Sequence, residues 1–571
     1  MPSGTELGAG HALGRVSGRS IVGGEVPPVQ DEAEALRLSR APGFHAVNPM
    51  TGAVMPVRFI DATPEQVQET CWRAWEAFHE IGERPPADRA RLLHAIADEI
   101  MGLGDALIQI AEEETGLTPV RLTMERERTV TTLRLFGDLA RKGDWVRAAI
   151  DTAEPSRRPV PKPDVRRMLR PLGPVAVFGA GNFPLAYSTA GGDTASALAA
   201  GCPVVVKGHP SHPATGELVA RAACRAVTLC GFPGGTLSYL QSGGARAQAI
   251  GVEVVANPCV RAVGFTGSFE GGTSLAKAAA ERPDPIPFFA EMGSVNPVFV
   301  LSGALESQAG AIAERVYGSL TSSNGQMCTC PGLLFLPRGP AAEDLLKRIG
   351  EPMNKALPEP MLSARVRAAF VERLAVAQGA KGVQVWAGSP QAGHRAAGEA
   401  QRAGEPVLCS PVLLRAAYDV FKRHRALHEE IFGPALLAVL CDGEEELVDA
   451  AALIRGSLTG TIWASGTDAA LAQRIRAILE QRVGRLIFNG VPTGVEVCAA
   501  MVHGGPFPAT NAPHATAVGP FAIERWCRPV CYQNAPEAFL PPELRSGNPL
   551  GILRLVNGEW TRDAVGKKPG P

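Results

Sequence analysis

From Val175 onward the chain alternates short, wholly apolar runs with segments whose apolar positions recur at helical spacing. Residues 175–178, 204–206, 237–240 and 260–265 predict strands, and residues 190–200, 213–229 and 269–280 predict the helices between them. Buried β-branched runs separated by helices indicate a doubly wound parallel sheet, because helices covering both faces leave the strands no solvent side. A second alternation runs through residues 297–301, 333–336, 383–386, 436–440 and 486–488 and predicts another α/β domain. Upstream, Thr63-Pro64-Glu65-Gln66 is a capping box ahead of Val67, Cys71, Trp75 and Phe78 at helical spacing. Residues 89–114 predict a second amphipathic helix and residues 123–140 a third, carrying Arg126, Arg128 and Arg134. In residues 151–170, Pro155, Pro159, Pro161 and Pro163 alternate with basic residues, which suits an extended arm better than a core strand.

Composition narrows the class. A chain of 571 residues exceeds one compact domain, and 45% hydrophobic with 20% charged content describes an ordinary soluble protein. A net charge of −1 provides no footprint for nucleic acid or an anionic membrane. The longest uncharged stretch, residues 171–192, is interrupted by Asn182, prolines and glycines and does not make a lipid-facing helix. Twelve scattered cysteines without a CxxC pair favour reduced thiols in the cytoplasm over a zinc site or disulfide scaffold. Residues 1–18 read as a disordered extension without an apolar signal core, and Lys567-Lys568 begin a frayed end.

Several residues then stand out as chemistry. Cys328 follows Gly325-Gln326-Met327, and a thiol at a polar, glycine-containing turn is expected to have a lowered pKa and act as a nucleophile; the competing reading is a buried small hydrophobe. Glu291, between Phe288-Phe289 and Met292-Gly293, is expected to be half-buried with a raised pKa, which suits a base that takes and returns protons. Cys330 is read as a spectator. Asn182 lies in the loop after the 175–178 strand, placed either as an oxyanion donor or as a turn residue. Gly267-Ser268 open a helix directly after a strand, where free backbone N–H groups suit a pyrophosphate. Lys207 ends the second strand, and no carboxylate follows before Glu217; Lys207, His209 and Ser211 therefore suit a ribose 2′-phosphate, with a solvated strand end as the alternative.

Taken in order, Asn182, Lys207, Gly267-Ser268, Glu291 and Cys328 resemble the aldehyde dehydrogenase superfamily, with coverage from about residue 18 to about residue 536. His428-Glu429-Glu430-Ile431-Phe432-Gly433-Pro434 extends the resemblance, which implies Glu430 and Phe432 around the nicotinamide ribose. Residues 183–201, 291–297, 328–332, 488–497, 503–510 and 528–534 are similar to the α-ketoglutarate semialdehyde (2,5-dioxovalerate) dehydrogenase branch, including Ser294 where most relatives carry glycine. NADP-linked fatty aldehyde dehydrogenases are the runner-up, and a catalytically silent protein on the same fold is the remote alternative. Gly181, Gly208 and Thr132 depart from the branch pattern, where serine, alanine and glutamine are more usual. The resemblance implies a Rossmann-type dinucleotide-binding domain (19–150 and 171–290), a catalytic domain (291–505), a small β oligomerisation arm (151–170 and 506–536) and a C-terminal tail (537–571). It also implies a homo-oligomer, dimer or tetramer, that oxidises 2,5-dioxopentanoate to 2-oxoglutarate. NADP is the expected cofactor, with NAD also accepted. Arg128 and Arg134 match arginines of this branch and are candidate anchors for a substrate carboxylate, since a buried carboxylate needs a cation or several donors. The alternative makes them solvated partners of Glu125 and Glu127.

Overall fold

The structure, a computed structural model, describes residues 16–29, 38–389 and 404–566. A hairpin of β1 (Gly43–Val47) and β2 (Val54–Ile60) leads into four helices: α1 (Pro64–Ile81), α2 (Pro86–Met101), α3 (Asp105–Thr115) and α4 (Pro119–Lys142). The capping box forms as expected: Gln66 N–H donates to Thr63 Oγ1 at 3.2 Å and Thr63 N–H donates to Gln66 Oε1 at 3.1 Å. The single helix expected over 89–114 is two helices, because the chain turns at Gly104, whose φ of 61° favours glycine, before α3 begins. Helix α4 starts earlier than expected, since Thr118 caps it and Pro119 occupies its first turn.

Strands β3 (Ala149–Asp151) and β4 (Val165–Pro171) precede the first α/β unit. That unit runs β5 (Val175–Phe178), α5 (Gly192–Ala200), β6 (Val204–Lys207), α6 (Pro213–Leu229), β7 (Leu237–Leu240), α7 (Ala247–Ala256), β8 (Ala262–Thr266), α8 (Phe269–Ala280) and β9 (Phe288–Glu291). Its five strands are parallel in the order β7-β6-β5-β8-β9. Register pairs Phe178 with both Lys207 and Phe265, and Thr266 with Glu291, so the carboxyl ends of four strands finish along one edge. That edge is where open α/β sheets bind ligands.

The second unit comprises β10 (Val298–Val300), α9 (Ser302–Thr321), β11 (Leu333–Pro337), α10 (Pro340–Met353), β12 (Glu359–Pro360), α11 (Ala364–Gly379), β13 (Gln384–Gly388), β14 (Leu408–Cys409), β15 (Val412–Ala417), α12 (Tyr418–Arg423), β16 (Ala435–Cys441), α13 (Glu444–Leu453), β17 (Ser457–Trp463), α14 (Ala469–Leu479) and β18 (Val483–Phe488). Seven of its strands form one sheet in the order β13-β15-β16-β11-β10-β17-β18, parallel except for the edge strand β13. Separate apolar clusters fill its two faces, one built around Phe299, Phe335 and Phe421 and the other around Leu334, Leu346 and Trp463.

Both ends of the chain depart from expectation. The extension expected over 1–18 is fixed from Val16, where Ser17 N–H and Gly18 N–H donate to the buried Glu217 carboxylate at 2.6 and 2.9 Å; residues 1–15 lie outside the described residues. The stretch expected as a tail from 537 supplies β20 (Arg554–Val556) and β21 (Glu559–Thr561) to a five-stranded sheet ordered β19-β4-β3-β20-β21, with β19 at Cys527–Gln533. A fully buried Arg554 fixes this segment by donating to the carbonyls of Glu543, Arg545, Ser546 and Asp563. The frayed end expected at Lys567-Lys568 lies outside the described residues. Among the described residues no helix is long and apolar enough to cross a membrane.

Candidate active site

Cys328 lies in the turn joining α9 to β11. Ser323, Asn324 and Gly325 take φ of 50°, 51° and 68°, and the surroundings hold this left-handed run in place. Asn324 Nδ2 donates to Glu359 O at 2.8 Å, and Gln326 Oε1 accepts from Leu362 N–H at 2.8 Å. A Cβ at position 325 would meet the Gly433 backbone at 2.3 Å, so glycine is required twice over. From the other side Asn296 Nδ2 donates to the carbonyls of Cys328 and Cys330, each at 2.9 Å.

Asn182 reaches this turn across the two units, donating through Nδ2 to Gln326 O at 2.9 Å. An amide nitrogen carries two protons, so one orients the side chain and the other stays available to an oxyanion. The loop is held from below by α4. Glu125 is buried and accepts from Leu185 N–H at 2.8 Å and Ala186 N–H at 2.9 Å. Glu125 is therefore a buried structural acceptor, ion-paired with Arg121 on its own helix, and not a solvated partner of Arg128 or Arg134.

Glu291 ends β9, with its backbone tied to Gly267 N–H at 3.0 Å and bridged to Thr510. Its Oε2 is buried without a hydrogen-bond partner. Burial, augmented by Asp193 and opposed by Arg525, pushes the carboxyl up to about 8, in the expected direction. For Cys328 the expectation reverses. Burial and the charges of Glu291 and Glu430 outweigh Arg128 and push the thiol up to about 12, so at neutral pH it is protonated. Cys330 is likewise pushed up by burial and donates to Leu320 O at 3.8 Å, as befits a structural thiol.

A residue absent from the expected set lies between the two. His503, in the glycine-rich stretch after β18, is only 4% exposed and places Nε2 3.7 Å from Cys328 Sγ and 3.7 Å from Glu291 Oε2. Burial, with Arg485, Arg128 and Arg525 nearby, lowers its pKa to about 3, so the ring is neutral. The stretch 503–510 is similar to the semialdehyde branch but assigns no role to its histidine, because that role depends on contacts 175 and 212 residues apart in sequence (503 − 328 and 503 − 291).

Of the two expected anchors, only Arg128 is at the site. It donates to Tyr187 Oη at 3.1 Å and to Val495 O at 2.5 Å. Arg134 is six residues further along α4, on another face, and pairs with Asp98 at 2.8 Å with half its side chain in solvent. Arg126 is buried and donates to Gly104 O at 2.9 Å. Arg485 of β18, which is not among the expected residues, donates to Gly494 O at 2.8 Å and to Pro492 O, so with Arg128 two arginines clasp the 492–495 segment.

The cofactor candidates lie along the carboxyl edge of the first sheet. Ser268 Oγ caps α8, accepting from Gly271 N–H at 3.2 Å, and Gly267 and Ser268 are exposed at its start. Lys207 is half-buried at the end of β6, and burial, opposed by Asp61, lowers it to about 8. His209 turns inward: it stacks on His212 at 5.1 Å, its Nδ1 accepts from Ser211 N–H at 3.2 Å, and burial keeps it neutral. Two departures from the branch pattern are explained here. A Cβ at 181 would lie 2.6 Å from the His209 ring, and one at 208 would lie 2.5 Å from Tyr239 Oη. Glu430 and Phe432 line a hollow behind the cysteine turn together with Ser294, Val295 and Cys330, and burial raises Glu430 to about 7.

Comparison with known proteins covers most of the chain. The model of the aldehyde dehydrogenase family matches residues 38–506. The chain is 43% identical to alpha-ketoglutaric semialdehyde dehydrogenase 2 of Azospirillum brasilense, over 95% of this chain and 99% of that one. It is 42% identical to the alpha-ketoglutaric semialdehyde dehydrogenase of Acinetobacter baylyi, over 92% and 97%. Among solved structures, betaine aldehyde dehydrogenase of Staphylococcus aureus in complex with NAD+ superposes with a TM-score of 0.74 at 19% identity, covering 92% of this chain and 98% of that one. With the family model matched over most of its length and two relatives above 40% identity, the chain belongs to the aldehyde dehydrogenase family and is an oxidoreductase that acts on aldehydes with a nicotinamide cofactor.

Proposed function

We propose that this enzyme oxidises 2,5-dioxopentanoate (α-ketoglutarate semialdehyde) to 2-oxoglutarate, with Cys328 as nucleophile, Glu291 as base and Asn182 as oxyanion donor. The observation that carries this reading is Arg128, held by Tyr187 and Val495 and close enough to Cys328 to oppose the rise of its pKa. The names of the two relatives above 40% identity support it.

The sulfur of Cys328 adds to the aldehyde carbon, and the second amide proton of Asn182, with the Cys328 N–H, steadies the oxygen as it becomes negative. The nicotinamide cofactor, when bound, accepts the hydride. Residues fit to hold it are the α8 amino end at Gly267-Ser268 for the pyrophosphate, Lys207 and Ser211 for the ribose, and Glu430 with Phe432 beside the hollow. Glu291 then takes a proton from water, the hydroxyl oxygen bonds to the thioester carbon, and the carbon–sulfur bond breaks to release the acid and Cys328. A carboxyl pushed up to about 8 is basic enough for this and able to release the proton afterwards.

NADP is accepted at least as well as NAD in this reading. The first carboxylate after Lys207 in the chain, Glu217, is engaged by Ser17, Gly18 and Arg221. Asp61, whose charge reaches Lys207, is engaged by the amides of Gly243, Gly244 and Arg246, so neither is free to face a 2′-phosphate. His209, neutral and turned inward, adds shape and no charge. All twelve cysteines are free thiols, in keeping with a reducing cytoplasm. The sheet containing β19 is the surface for self-association.

The substrate test pairs Arg128→Ala with two aldehydes of similar length, one carboxylated and one neutral. A rise in KM confined to the carboxylated aldehyde is expected. Equal losses on both make Arg128 structural, and a wild-type preference for long alkanals hands the case to a fatty aldehyde dehydrogenase.

A further inference from the structure

His503 presents one nitrogen, Nε2, to both reacting groups at 3.7 Å, and its own backbone is pinned. His503 N–H donates to Thr516 Oγ1 at 3.0 Å, and His503 O accepts from Ala517 N–H at 2.8 Å. Tyr187 flanks the ring at 6.3 Å between centroids. The ring therefore has little freedom except a small swing between Sγ and Oε2. Neither 3.7 Å contact is a short hydrogen bond; both lie where a modest shift makes one or the other.

Three arginines, 128, 485 and 525, face the ring together with Glu291, Cys328 and Tyr187. Burial and that positive surround disfavour a second proton on the imidazole, which makes it a poor carrier of the thiol proton. A neutral imidazole with its proton on Nε2 is still a donor. The groups it faces are the two that become anionic during the reaction, at different moments.

We propose that His503 is a neutral hydrogen-bond donor shared by the Cys328 thiolate and the Glu291 carboxylate, serving whichever of them is charged. This rests on Cys328 as nucleophile and Glu291 as base. When the S–H bond breaks, the proton goes to water and the electron pair stays on sulfur, where the Nε2–H stabilises it. Once sulfur has bonded to the aldehyde carbon its charge is gone. The Nε2–H then turns to Glu291 and favours the ionised carboxylate needed to accept a proton from water. Without such a donor, what opposes burial at the cysteine is the Arg128 charge and a hydrogen bond from its own backbone.

The test compares wild type with His503→Phe, which keeps a planar ring without a donor, and His503→Gln, whose amide N–H falls near the place of Nε2. The primary readout is the pH dependence of Cys328 alkylation by iodoacetamide, resolved by peptide so that the other cysteines do not contribute. The Phe variant should ionise Cys328 at higher pH and alkylate at least about tenfold more slowly at pH 8, with kcat falling and KM little changed. The Gln variant should stay within about threefold of wild type, since one neutral donor replaces another. Wild-type alkylation in the Phe variant overturns the proposal. So does a Gln variant as slow as Phe, which would make the imidazole a proton carrier; and if Phe does not fold, Gln alone decides. Turnover retained by Cys328→Ser would instead sink the nucleophile assignment itself, a failure separate from that of His503.

Discussion

At the residue scale, catalysis and stability pull Glu291 in opposite directions. Its carboxyl belongs at 4.5 when solvated and is pushed up to about 8 by burial. The folded state therefore binds the proton more tightly than the unfolded chain, and stability falls as pH rises through the window from 4.5 to about 8. Glutamine cannot ionise, so Glu291→Gln should melt higher than wild type at pH 9 and close to wild type at pH 5, as read by calorimetry. The same variant should give a stoichiometric burst of reduced cofactor and little steady turnover, because only thioester hydrolysis needs the carboxylate. Unchanged steady-state rates would remove Glu291 as the base. Asn182→Ala should cost about 10² to 10³ in kcat, the range for one lost oxyanion donor. Near-normal kcat there would leave the loop with only a shaping role.

At the scale of elements, α4 acts on the reaction twice, directly through Arg128 and at one remove through Glu125. Glu125 on this helix holds the amides of Leu185 and Ala186, and that loop carries Asn182 to the cysteine turn. Glu125→Ala orphans two buried N–H groups and should lower kcat more than it raises KM, a split that steady-state kinetics resolves. The end of β6 offers a packing test. A methyl at position 208 meets Tyr239 Oη at 2.5 Å, and that hydroxyl makes only a 3.4 Å contact with Pro213 O. Gly208→Ala should cost about 1–3 kcal/mol by overpacking. Adding Tyr239→Phe should recover part of the loss, and strict additivity of the two in denaturant titrations would show that they do not meet. The short apolar strands were legible in the sequence because β5, β6 and β7 are buried on both faces and carry no competing pattern. Strand β17 escaped notice because Ser457, Thr459 and Thr461 look like solvent positions yet are fully buried, with Thr459 Oγ1 donating to Asn296 at 2.9 Å. Strand β15 was hidden by Arg415, which leaves the strand to pair with Glu343.

On the scale of the whole molecule, sequence order conveys the ligand edge of the first sheet but not which distant loops close over it. Cys328, Glu291 and Asn182 were legible because each sits at the end or turn of a patterned element. His503 and Arg485 were not, since their meaning arises only when the segments after β17 fold back across both units. The carboxyl-terminal stretch shows the same limit: Arg554 interrupts its short apolar run of Ile552-Leu553 and Leu555-Val556, and what fixes it is that buried arginine and backbone pairing together with Leu540, Leu544 and Ile552 in the core. Strand β20 pairs in parallel with β3, Arg166 Nη1 donates to Leu544 O at 2.7 Å, and Arg562 pairs with Asp144 at 2.7 Å. Removing residues 537–571 would leave the β3 edge open and the Arg166 guanidinium without that acceptor. The outer edge of β19, whose alternate residues are exposed, belongs to the same sheet and is the proposed surface for self-association. A chain ending at Pro536 should therefore melt well below wild type and show a smaller assembly by light scattering. A wild-type mass with a lowered melting point would confine this segment to stability. Loss of both together would show that the sheet must be complete before the subunits can meet.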